Sequence, residues 1–532
     1  MGLVKLETAN FQTKVTPQSQ ASIWNALRVH PNSVILLLIA INLAITIPLA
    51  AVLNIWFDEA YSLNTSSQNL GYALSQSMHF EEQAPLYFIL LTLWRSLNNS
   101  IFFARLFSAL CIALTIYVAT LISRKLFEDL HPGWIAAMLA FNPISVWAAL
   151  EVRLYAFSIL LSSLLTLLFF EGYLKQKPGR SIRWLYILLA TLSLYTHYFL
   201  GFVLLANALV LLFLGRLRAF RAYFFDMAIS GFLFLPWIFV VVKQFAYLSD
   251  TYLEDINETT VPFANSLKMS LGGILKYILP GANDVFTSGW RLLRVIGLSI
   301  LLFLIFRKRK YIQKRDLAIW LITIISAAVF FVAFEVIDVM HFRHTSVIFL
   351  LSQLSVLAVF YLIKGAARKK ILSIWLTVTL LLNVFSLTIN YSPLAKNGDY
   401  VDVASYIMSH EEQRQTVLVF SPEVGAALEP YYKGVNQLVS LPRKEDFKTF
   451  DYADFILKDE QEIEVALSQM PDSYRYLWLI VDTGLLKNMP VYQQSYQVLN
   501  EFVDKYYTIE VDQEFHGSNV KLLRRIQSEQ PL

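Results

Sequence analysis

Long apolar runs separated by short polar segments fill the chain as far as residue 391. The hydrocarbon core of a bilayer is about 30 Å thick, so a helix that crosses it needs roughly 20 mostly apolar residues. Two apolar stretches, 85–97 and 268–280, are too short for this and are interpreted as interfacial or re-entrant helices. The longer runs predict eleven spans: 33–53, 101–123, 133–150, 154–174, 184–197, 199–215, 222–242, 290–306, 316–336, 344–363 and 371–391.

After residue 391 the pattern changes to that of a water-soluble domain. Short apolar runs at 416–420 and 477–481 predict buried strands. They alternate with helical patterns at 401–411, 423–432 and 459–470. The sequence thus predicts an α-helical polytopic membrane protein, spanning 33–391, with a soluble α/β domain at 392–532. Residues 1–32 are polar and precede a long apolar run, so they are interpreted as a tail before a retained anchor and not as a cleaved signal peptide.

Composition supports a membrane protein and excludes several other classes. Of 532 residues, 56% are hydrophobic and only 16% are charged, and the mean hydropathy is +0.50. A soluble chain usually has about 25% charged residues. These values exclude a disordered protein and a nucleic-acid binder driven by bulk charge. The single cysteine, Cys111, excludes an internal disulfide and a cysteine-based zinc site.

The charges predict the orientation of the chain in the membrane. By count, 22 Lys and Arg residues lie in the N-terminal tail and in loops on one side, against about six on the other. Because cytoplasmic loops are enriched in Lys and Arg, the basic side is predicted to be cytoplasmic. The N-terminus is then cytoplasmic, and an odd number of spans puts the C-terminal domain outside the cell membrane. The net charge of +4 divides into −9 for residues 396–532, with 13 basic and 22 acidic residues, and therefore +13 for the rest.

Two acidic clusters lie in the predicted outer loop 54–100. Asp58 and Glu59 directly follow the first span, and Glu81 and Glu82 precede an apolar run. A carboxylate at a membrane boundary is partly desolvated, which raises its pKa and favours a role as general base. Both clusters also suit the start of a helix, where acids interact with the helix dipole. Catalytic and helix-capping roles both remain open from this pattern.

Three later clusters at predicted outer span ends combine acids, cations and aromatic residues. An arginine offers a fork of donors that matches a phosphate, which makes Arg153 and Arg343 candidates for anion binding. The alternatives are a structural Glu–Arg pair for Glu151 and simple packing for His197. The last cluster lacks the spacing of a closed zinc site, so anion binding is favoured over a metal centre. The clusters are Glu151, Arg153 and Tyr155; Tyr195, His197 and Tyr198; and Glu335, Asp338, His341, Arg343 and His344.

The order of these elements resembles that of the GT-C fold glycosyltransferases. The similarity is to the bacterial branch allied to the protein O-mannosyltransferases, the aminoarabinose transferases of lipid A and the lipopolysaccharide-core transferases of rhizobia. It covers residues 50–240 and extends more weakly through 344. The C-terminal domain is similar in its placement and in its opening Lys396-x-x-Asp399-Tyr400 stretch. The elements are Asp58-Glu59, the acid-and-proline element at 81–88, the Glu-x-Arg-x-Tyr element at 151–155 and Tyr-Thr-His-Tyr at 195–198.

The resemblance implies a role for each matching residue. Asp58 corresponds to the position proposed as catalytic base, with Glu59 supporting it, and Glu82 to the acid before the proline element. Arg153 is expected near the donor phosphate, with Arg343 as a second cation. Ala84 and Gln83 depart from the family pattern, in which Pro and a basic residue are usual. The remaining residues expected around the substrate are Tyr61, Glu81, Tyr87, Glu151, Tyr155, His197 and His344.

The resemblance also implies a reaction. Such enzymes take a sugar from a polyprenyl-phosphate donor and transfer it, with inversion, to a hydroxyl of a lipid, glycan or protein outside the cytoplasm. No cofactor is required for this chemistry, and the residues do not indicate a divalent metal or a nucleic-acid partner. Two alternatives remain. A transporter or flippase is expected to show internal symmetry and polar residues near the bilayer midplane, and an assembly protein would need the membrane part only as an anchor.

Overall fold

The computed structural model describes residues 31–175, 179–253, 272, 274–279, 287–336, 342–468, 475–488 and 490–526. Helices and turns make up this described part as far as Asn390, and a five-stranded sheet with surrounding helices follows. The helices before the sheet are α1 Pro31–Val52, α2 Phe57–Thr65, α3 Leu70–His79, α4 Leu86–Arg95, α5 Ile101–Leu126, α6 Gly133–Ala140, α7 Pro143–Leu150, α8 Tyr155–Phe169, α9 Arg180–Leu194, α10 Leu200–Phe213, α11 Leu217–Leu253, α12 Thr287–Lys308, α13 Lys314–Val336, α14 Phe349–Tyr361 and α15 Ala366–Asn390.

Among the described residues, eight helical segments are long and apolar enough to cross a membrane. The pair α6–α7, bent by 62°, makes a ninth if it is one span. Helices α9 and α10, where two further spans were predicted, have only 15 and 14 residues. At about 1.5 Å per residue, each is shorter than the hydrocarbon core. By length, eight or nine of the eleven predicted spans therefore qualify in the described part of the chain, and the polar turn predicted at 195–198 separates the two short helices.

Helix α5 is the central element of the membrane part. It packs against α1, α7 and α8, and its buried face alternates small residues with Ile, Val and Leu side chains. Its 26 residues extend about 39 Å, which is more than the thickness of the hydrocarbon core. Arg105 lies near one end, and Lys125 lies at the other end, where it pairs with Glu171. The helix thus separates two polar layers by a membrane thickness.

The predicted outer loop 54–100 is largely helical and contains α2, α3 and α4. The Asn69 side chain caps α3 by accepting a hydrogen bond from the Tyr72 backbone N–H. Helix α4 is the short apolar helix expected at 85–97, and its first N–H donates to the Tyr195 carbonyl at 2.9 Å. Of the other predicted short helix, 268–280, the structure describes residues 272 and 274–279, of which 272 and 274–278 are helical. The three helices of the loop form a layer over the ends of α5 and α8.

The C-terminal domain contains five strands: β1 Gln415–Phe420, β2 Leu438–Leu441, β3 Tyr476–Asp482, β4 Tyr507–Phe515 and β5 Ser518–Arg525. They form a mixed sheet with the order β2-β1-β3-β5-β4. Strand β1 is parallel to both β2 and β3, whereas β5 is antiparallel to β3 and to β4. Both predicted strands are present, and the pattern missed β2, β4 and β5. The helices of this domain are α16 Tyr400–His410, α17 Pro422–Leu428, α18 Glu460–Ser468, α19 Thr483–Asn488 and α20 Pro490–Tyr506.

The C-terminal domain is docked on the end of the bundle that carries α2. Helix α17, which follows the carboxyl end of β1, packs against α2. The Ile55 backbone N–H donates to the Tyr431 hydroxyl at 2.7 Å. Phe447 and Phe450, from the segment after β2, make ring contacts with Phe80 at centroid distances of 5.5 and 6.2 Å. The sheet domain therefore covers the acidic outer loop.

Candidate active site

Asp58 lies between two arginines at the surface where the bundle meets the C-terminal domain. Its side chain is in the first turn of α2, where an acid interacts favourably with the helix dipole, and the residue is 6% exposed. One carboxylate oxygen, Oδ2, is 3.1 Å from Arg343 Nη1 and 3.8 Å from Arg153 Nε. That oxygen has no aligned hydrogen bond within the described part of the chain. The carboxylate is thus held by charge and retains a free site to accept a proton.

Arg343 is the more accessible of the two arginines. It precedes α14, and its guanidinium lies over the Trp56 ring, 5.2 Å from the centroid. Its side chain is 26% exposed, and its Nε has no hydrogen-bond partner among the described residues. A guanidinium stacked on an aromatic face keeps its outer donors available. Arg343 can therefore exchange Asp58 for an incoming anion without losing its position on Trp56.

Arg153 is held more tightly, in the turn between α7 and α8. Its Nη1 donates to Glu81 Oε2 at 2.8 Å and to Ser62 Oγ at 3.0 Å. Glu81 also accepts a hydrogen bond from Thr65 Oγ1 at 3.2 Å. Burial raises the pKa of Glu81 in spite of the nearby guanidinium. Arg153 thus ties α2 to the Glu81 turn, while its Nε, which has no hydrogen bond in the described chain, faces Asp58.

Glu59 points away from Asp58 into a fully buried ion cluster. Arg105 contacts it with two donors, Nε to Oε1 at 3.1 Å and Nη2 to Oε2 at 3.0 Å. The Val152 backbone N–H and the Lys396 ammonium complete its hydrogen bonds. Burial alone would raise the pKa of Glu59, but Arg105 and Lys396 outweigh it and hold the pKa below its usual range. The raised pKa expected of a base at this boundary is therefore not found at Glu59, which stays ionised.

Glu151 belongs to the same buried cluster and does not pair with Arg153. The Trp56 indole N–H donates to Glu151 Oε2 at 2.6 Å, and Lys396 Nζ lies 3.2 Å from Oε1. Burial raises the pKa of Glu151, with Lys396 opposing the shift. The Arg343 guanidinium lies over the same Trp56 ring. The hydrogen bond from Trp56 to Glu151 therefore fixes the ring on which Arg343 stacks.

Glu82, which the resemblance matches to the acid before the proline element and makes a catalytic candidate, forms no ion pair with either arginine among the described residues. Its backbone is in the left-handed region, with φ of 51°, so consecutive side chains at Glu81 and Glu82 point in different directions. Glu81 faces Arg153, whereas the Glu82 side chain has no ion-pair or hydrogen-bond partner among the described residues. Burial raises the pKa of Glu82 to about 8. This carboxyl is therefore largely protonated at neutral pH.

The raised pKa of Glu82 predicts a pH-dependent stability that Glu82→Gln removes. The folded state binds a proton more tightly than the unfolded state, so the group destabilises the fold as pH rises from about 4.5 to about 8, its ordinary and shifted pKa values. The wild-type melting temperature should fall more steeply across this range than that of the variant. Melting curves in detergent at a series of pH values measure both slopes, and equal slopes would contradict the assignment.

Aromatic side chains line the contact between the loop and the C-terminal domain. Tyr61 makes ring contacts with Phe80 at 5.1 Å and Phe447 at 6.1 Å. Its hydroxyl is buried and has no hydrogen-bond partner among the described residues. The same holds for the hydroxyl of Tyr87, whose ring packs on Phe107. These two tyrosines are buried donors without an acceptor within the described chain.

The remaining predicted substrate residues lie on the bundle side of the arginines. Tyr155 stacks on Trp147 with centroids 5.1 Å apart. His197 and His344 lie edge to face at 6.1 Å, and Phe199 contacts both rings. His197 is buried, and its Nε2 has no hydrogen-bond partner in the described part of the chain. The structure thus brings two histidines from distant sequence positions into contact.

The described residues contain no group of three or more His, Cys, Asp or Glu side chains that is arranged to hold a metal. Of the last predicted cluster, Arg343 and His344 lie at the site, and Glu335 is in the last turn of α13. Asp338 and His341 lie outside the described residues.

The sequence patterns missed three residues of the site. Arg105 is fully buried within the apolar helix α5, and an ionisable residue in such a segment is itself a functional signal. Trp56 adjoins the acidic pair and interacts with both Glu151 and Arg343. Lys396 is distant in sequence, and only its place in the Lys396-x-x-Asp399-Tyr400 stretch drew attention to it. Together these residues hold Glu59, the neighbour of Asp58, and Glu151, the partner of Trp56.

Comparison with known proteins identifies the fold. No protein-family model and no curated protein sequence matches the chain. The crystal structure of ArnT from Cupriavidus metallidurans in the apo state superposes with a TM-score of 0.55 and 13% identity, over 92% of this chain and 97% of that one. A structure of the same protein bound to undecaprenyl phosphate covers the same shares at 13% identity, with a TM-score of 0.39. The archaeal oligosaccharyltransferase AglB from Archaeoglobus fulgidus, in complex with an inhibitory peptide and a dolichol-phosphate, gives 0.49 at 12% identity, over 94% and 75% of the two chains.

ArnT has the GT-C fold, which is found in membrane glycosyltransferases. The superposition on apo ArnT covers nearly the whole of both chains. The protein described here therefore has the GT-C fold, which confirms the resemblance drawn from its sequence elements.

Proposed function

We propose that this protein is a glycosyltransferase that moves a sugar from a polyprenyl-phosphate donor to an acceptor hydroxyl outside the cytoplasm, with inversion. The observation that carries this proposal is the position of Asp58, a buried carboxylate between Arg153 and Arg343. A base beside two guanidinium groups is what attack of a hydroxyl on a sugar phosphate needs. The GT-C fold, shared with ArnT, supports this class of reaction.

In the proposed reaction the donor phosphate first displaces Asp58 from Arg343. The guanidinium is stacked on Trp56 and partly exposed, so it can form a two-donor contact with phosphate oxygens. Asp58 is then free to take the proton of the acceptor hydroxyl. The hydroxyl oxygen bonds to the anomeric carbon as the bond from that carbon to the phosphate oxygen breaks, and the lipid phosphate leaves as an anion beside the arginines. Attack opposite the leaving group inverts the anomeric configuration.

The dimensions of the bundle support an outward-facing site. Arg105 marks the end of α5 at the site, and Lys125, together with Arg315 on the Leu126 carbonyl, belongs to the other polar layer, about 30 Å along that helix. Because Lys and Arg favour the cytoplasmic side, we assign the layer with Asp58 and the C-terminal domain to the outside of the cell membrane, and the N-terminus to the cytoplasm. A lipid-linked donor carries its phosphate at headgroup level, beside the arginines.

The buried donors around Asp58 suit a polar substrate. We assign contacts with the sugar or acceptor to the Tyr61 and Tyr87 hydroxyls and to His197, which have no hydrogen-bond partner among the described residues. Tyr155 and His344 line the bundle side of the same region. Glu81 and Glu151 hold Arg153 and Trp56 in place. We propose that the transfer reaction proceeds without a cofactor.

Loss of the gene tests the proposal in cells. Mass spectrometry of surface glycolipids and glycans should then show the loss of one sugar addition, with the underlying acceptor intact. Loss of many unrelated additions together would contradict a single transferase and favour the flippase. Unchanged surface glycans would contradict both.

Arg343→Ala is expected to weaken use of the donor more than use of the acceptor. Removing one donor to a developing anion costs about 10²-fold or more in rate, and the loss of the accessible cation should also raise KM for the lipid-linked sugar. Steady-state kinetics with each substrate varied in turn gives both effects. Arg524→Ala, which removes an exposed pair with Glu510 on the edge strand, is the matched control. An Arg343→Ala enzyme with unchanged donor KM would remove this residue from the phosphate site.

A further inference from the structure

Lys396, at the start of the C-terminal domain, inserts its side chain into the buried acidic cluster of the bundle. Its Nζ donates to Glu59 Oε2 at 2.9 Å and to the Leu150 carbonyl at 2.7 Å, and lies 3.2 Å from Glu151 Oε1. An ammonium group has three donors, and all three have partners here. The side chain is only 8% exposed. The exposed ion pairs on the surface of the same domain, such as Lys444 with Glu429, lack this burial.

The backbone around Lys396 is fixed as firmly as its side chain. The Lys396 N–H donates to Asn54 Oδ1 at 2.8 Å, and Asn54 Nδ2 donates to the carbonyls of Lys396 and Gly398 at 3.0 and 2.8 Å. A Cβ at Gly398 would lie 2.6 Å from Ser518 Oγ, so only glycine allows this approach to β5. Through these contacts with Asn54 and Ser518, the segment connects the end of α1 rigidly to strand β5.

Two chains of contacts lead from Lys396 to Asp58. The first runs through Glu59, the neighbour of Asp58 in the first turn of α2. The second runs through Glu151, whose Oε2 accepts from Trp56, to the Arg343 guanidinium that lies on Trp56 and pairs with Asp58. A change at Lys396 therefore reaches both the backbone that carries the base and the cation opposite it.

The charge balance of the cluster depends on this lysine. The groups that face it are Glu59 from α2, Glu151 after α7 and Arg105 from α5. Tyr391 at the end of α15 and Tyr431 after α17 lie near the same carboxylates. Without Lys396, two buried carboxylates would share one guanidinium, which already gives three donors to backbone carbonyls. An uncompensated buried charge either disrupts the fold locally or takes up a proton.

We propose that Lys396 is a positioning residue for the transfer reaction, through which the C-terminal domain completes the active site by neutralising Glu59 and Glu151 and orienting Asp58 and Arg343. The inference rests on the function proposed above. The C-terminal domain is then required for catalysis, because Lys396 supplies a positive charge to the buried carboxylates Glu59 and Glu151 of the membrane part.

Lys396→Met and Lys396→Arg test this role in the full-length protein. Lys396→Met should lower kcat by about 10²-fold, the cost of a small misplacement of reacting groups, with a smaller change in donor KM because Arg343 remains. Lys396→Arg should recover part of the rate, since it restores a cation. Lys444→Met, which removes an exposed pair with Glu429 in the same domain, should act as wild type. Wild-type kcat and pH–rate profile in Lys396→Met would overturn the proposal.

A second readout does not depend on transfer. In Lys396→Met the pair Glu59 and Glu151 should bind a proton in the folded state. The melting temperature of the variant should therefore fall furthest below that of the wild type at neutral pH, and the difference should shrink as pH falls. A loss of stability independent of pH would overturn the charge role and leave only packing. If the wild-type protein transfers no sugar from any donor, the proposed function fails, and the melting curves alone decide whether Lys396 neutralises the pair.

Discussion

Asp58→Asn is expected to abolish sugar transfer while leaving the protein folded. Asparagine has the same shape but cannot take the proton of the acceptor hydroxyl, and loss of a general base costs typically 10²–10⁴-fold in rate. Because Asp58 Oδ2 has no aligned hydrogen bond in the described structure, the substitution breaks few contacts. It does remove the charge that pairs with Arg343 and Arg153. Donor binding should therefore be retained or tightened as the rate falls.

The measurement is transfer in membranes supplied with a polyprenyl-phosphate sugar, together with donor binding. Asp402→Asn is the matched control, because Asp402 is also in the first turn of a helix, α16, but is exposed. Transfer near the wild-type rate in Asp58→Asn would rule out Asp58 as the base. Loss of both transfer and donor binding would indicate that the carboxylate organises the site and does not act only on the proton.

Arg105→Met is expected to cause the largest loss of stability among single changes at the site. Its guanidinium is fully buried and makes two hydrogen bonds to Glu59. It also donates to the carbonyls of Ala50, Leu53 and Asn54, which end α1 and begin the outer loop. Breaking a buried ion pair by removing one partner costs about 3–5 kcal/mol. The melting temperature in detergent should therefore drop strongly, with activity lost alongside.

The double variant Arg105→Met, Glu59→Gln separates the ion pair from packing. Removing both charges leaves no carboxylate at position 59 that has lost its guanidinium partner, so the double variant should be more stable than Arg105→Met alone. Arg524→Met, at an exposed pair, should change stability by about 1 kcal/mol or less. An Arg105→Met protein that melts with the wild type would contradict the structural importance of this cluster.

The apolar pattern predicted the architecture because membrane helices and buried strands differ in the length of their runs. Its count of spans exceeds that of the structure at α9 and α10, because the pattern counts each apolar run as a span although these helices have only 15 and 14 residues. In the C-terminal domain, β1 and β3 are fully buried and have continuous apolar sequences. Strand β4 is mostly exposed and contains charged residues, so it lacks the run of apolar residues by which β1 and β3 were predicted.

The sequence predicted those residues of the site that lie at the ends of apolar helices on the outer side of the bundle. Asp58, Arg153 and Arg343 each adjoin an apolar run at the same end of the bundle, and the structure brings them together. The choice between Glu81 and Glu82 depends on one backbone conformation, φ of 51° at Glu82, which no periodicity encodes. Lys396 could not be assigned, since its partners are more than 240 residues away in the sequence. Long-range pairing of buried charges is a tertiary property.

The most direct test of the central claim is a transfer reaction with the purified protein in liposomes, supplied with polyprenyl-phosphate sugars and candidate acceptors. We predict that glycosylated acceptor and free polyprenyl phosphate form in equal amounts, that the new bond has the opposite anomeric configuration to the donor, and that Asp58→Asn forms neither product. Movement of the intact lipid-linked sugar across the bilayer without cleavage, or product with retained configuration, would contradict the account.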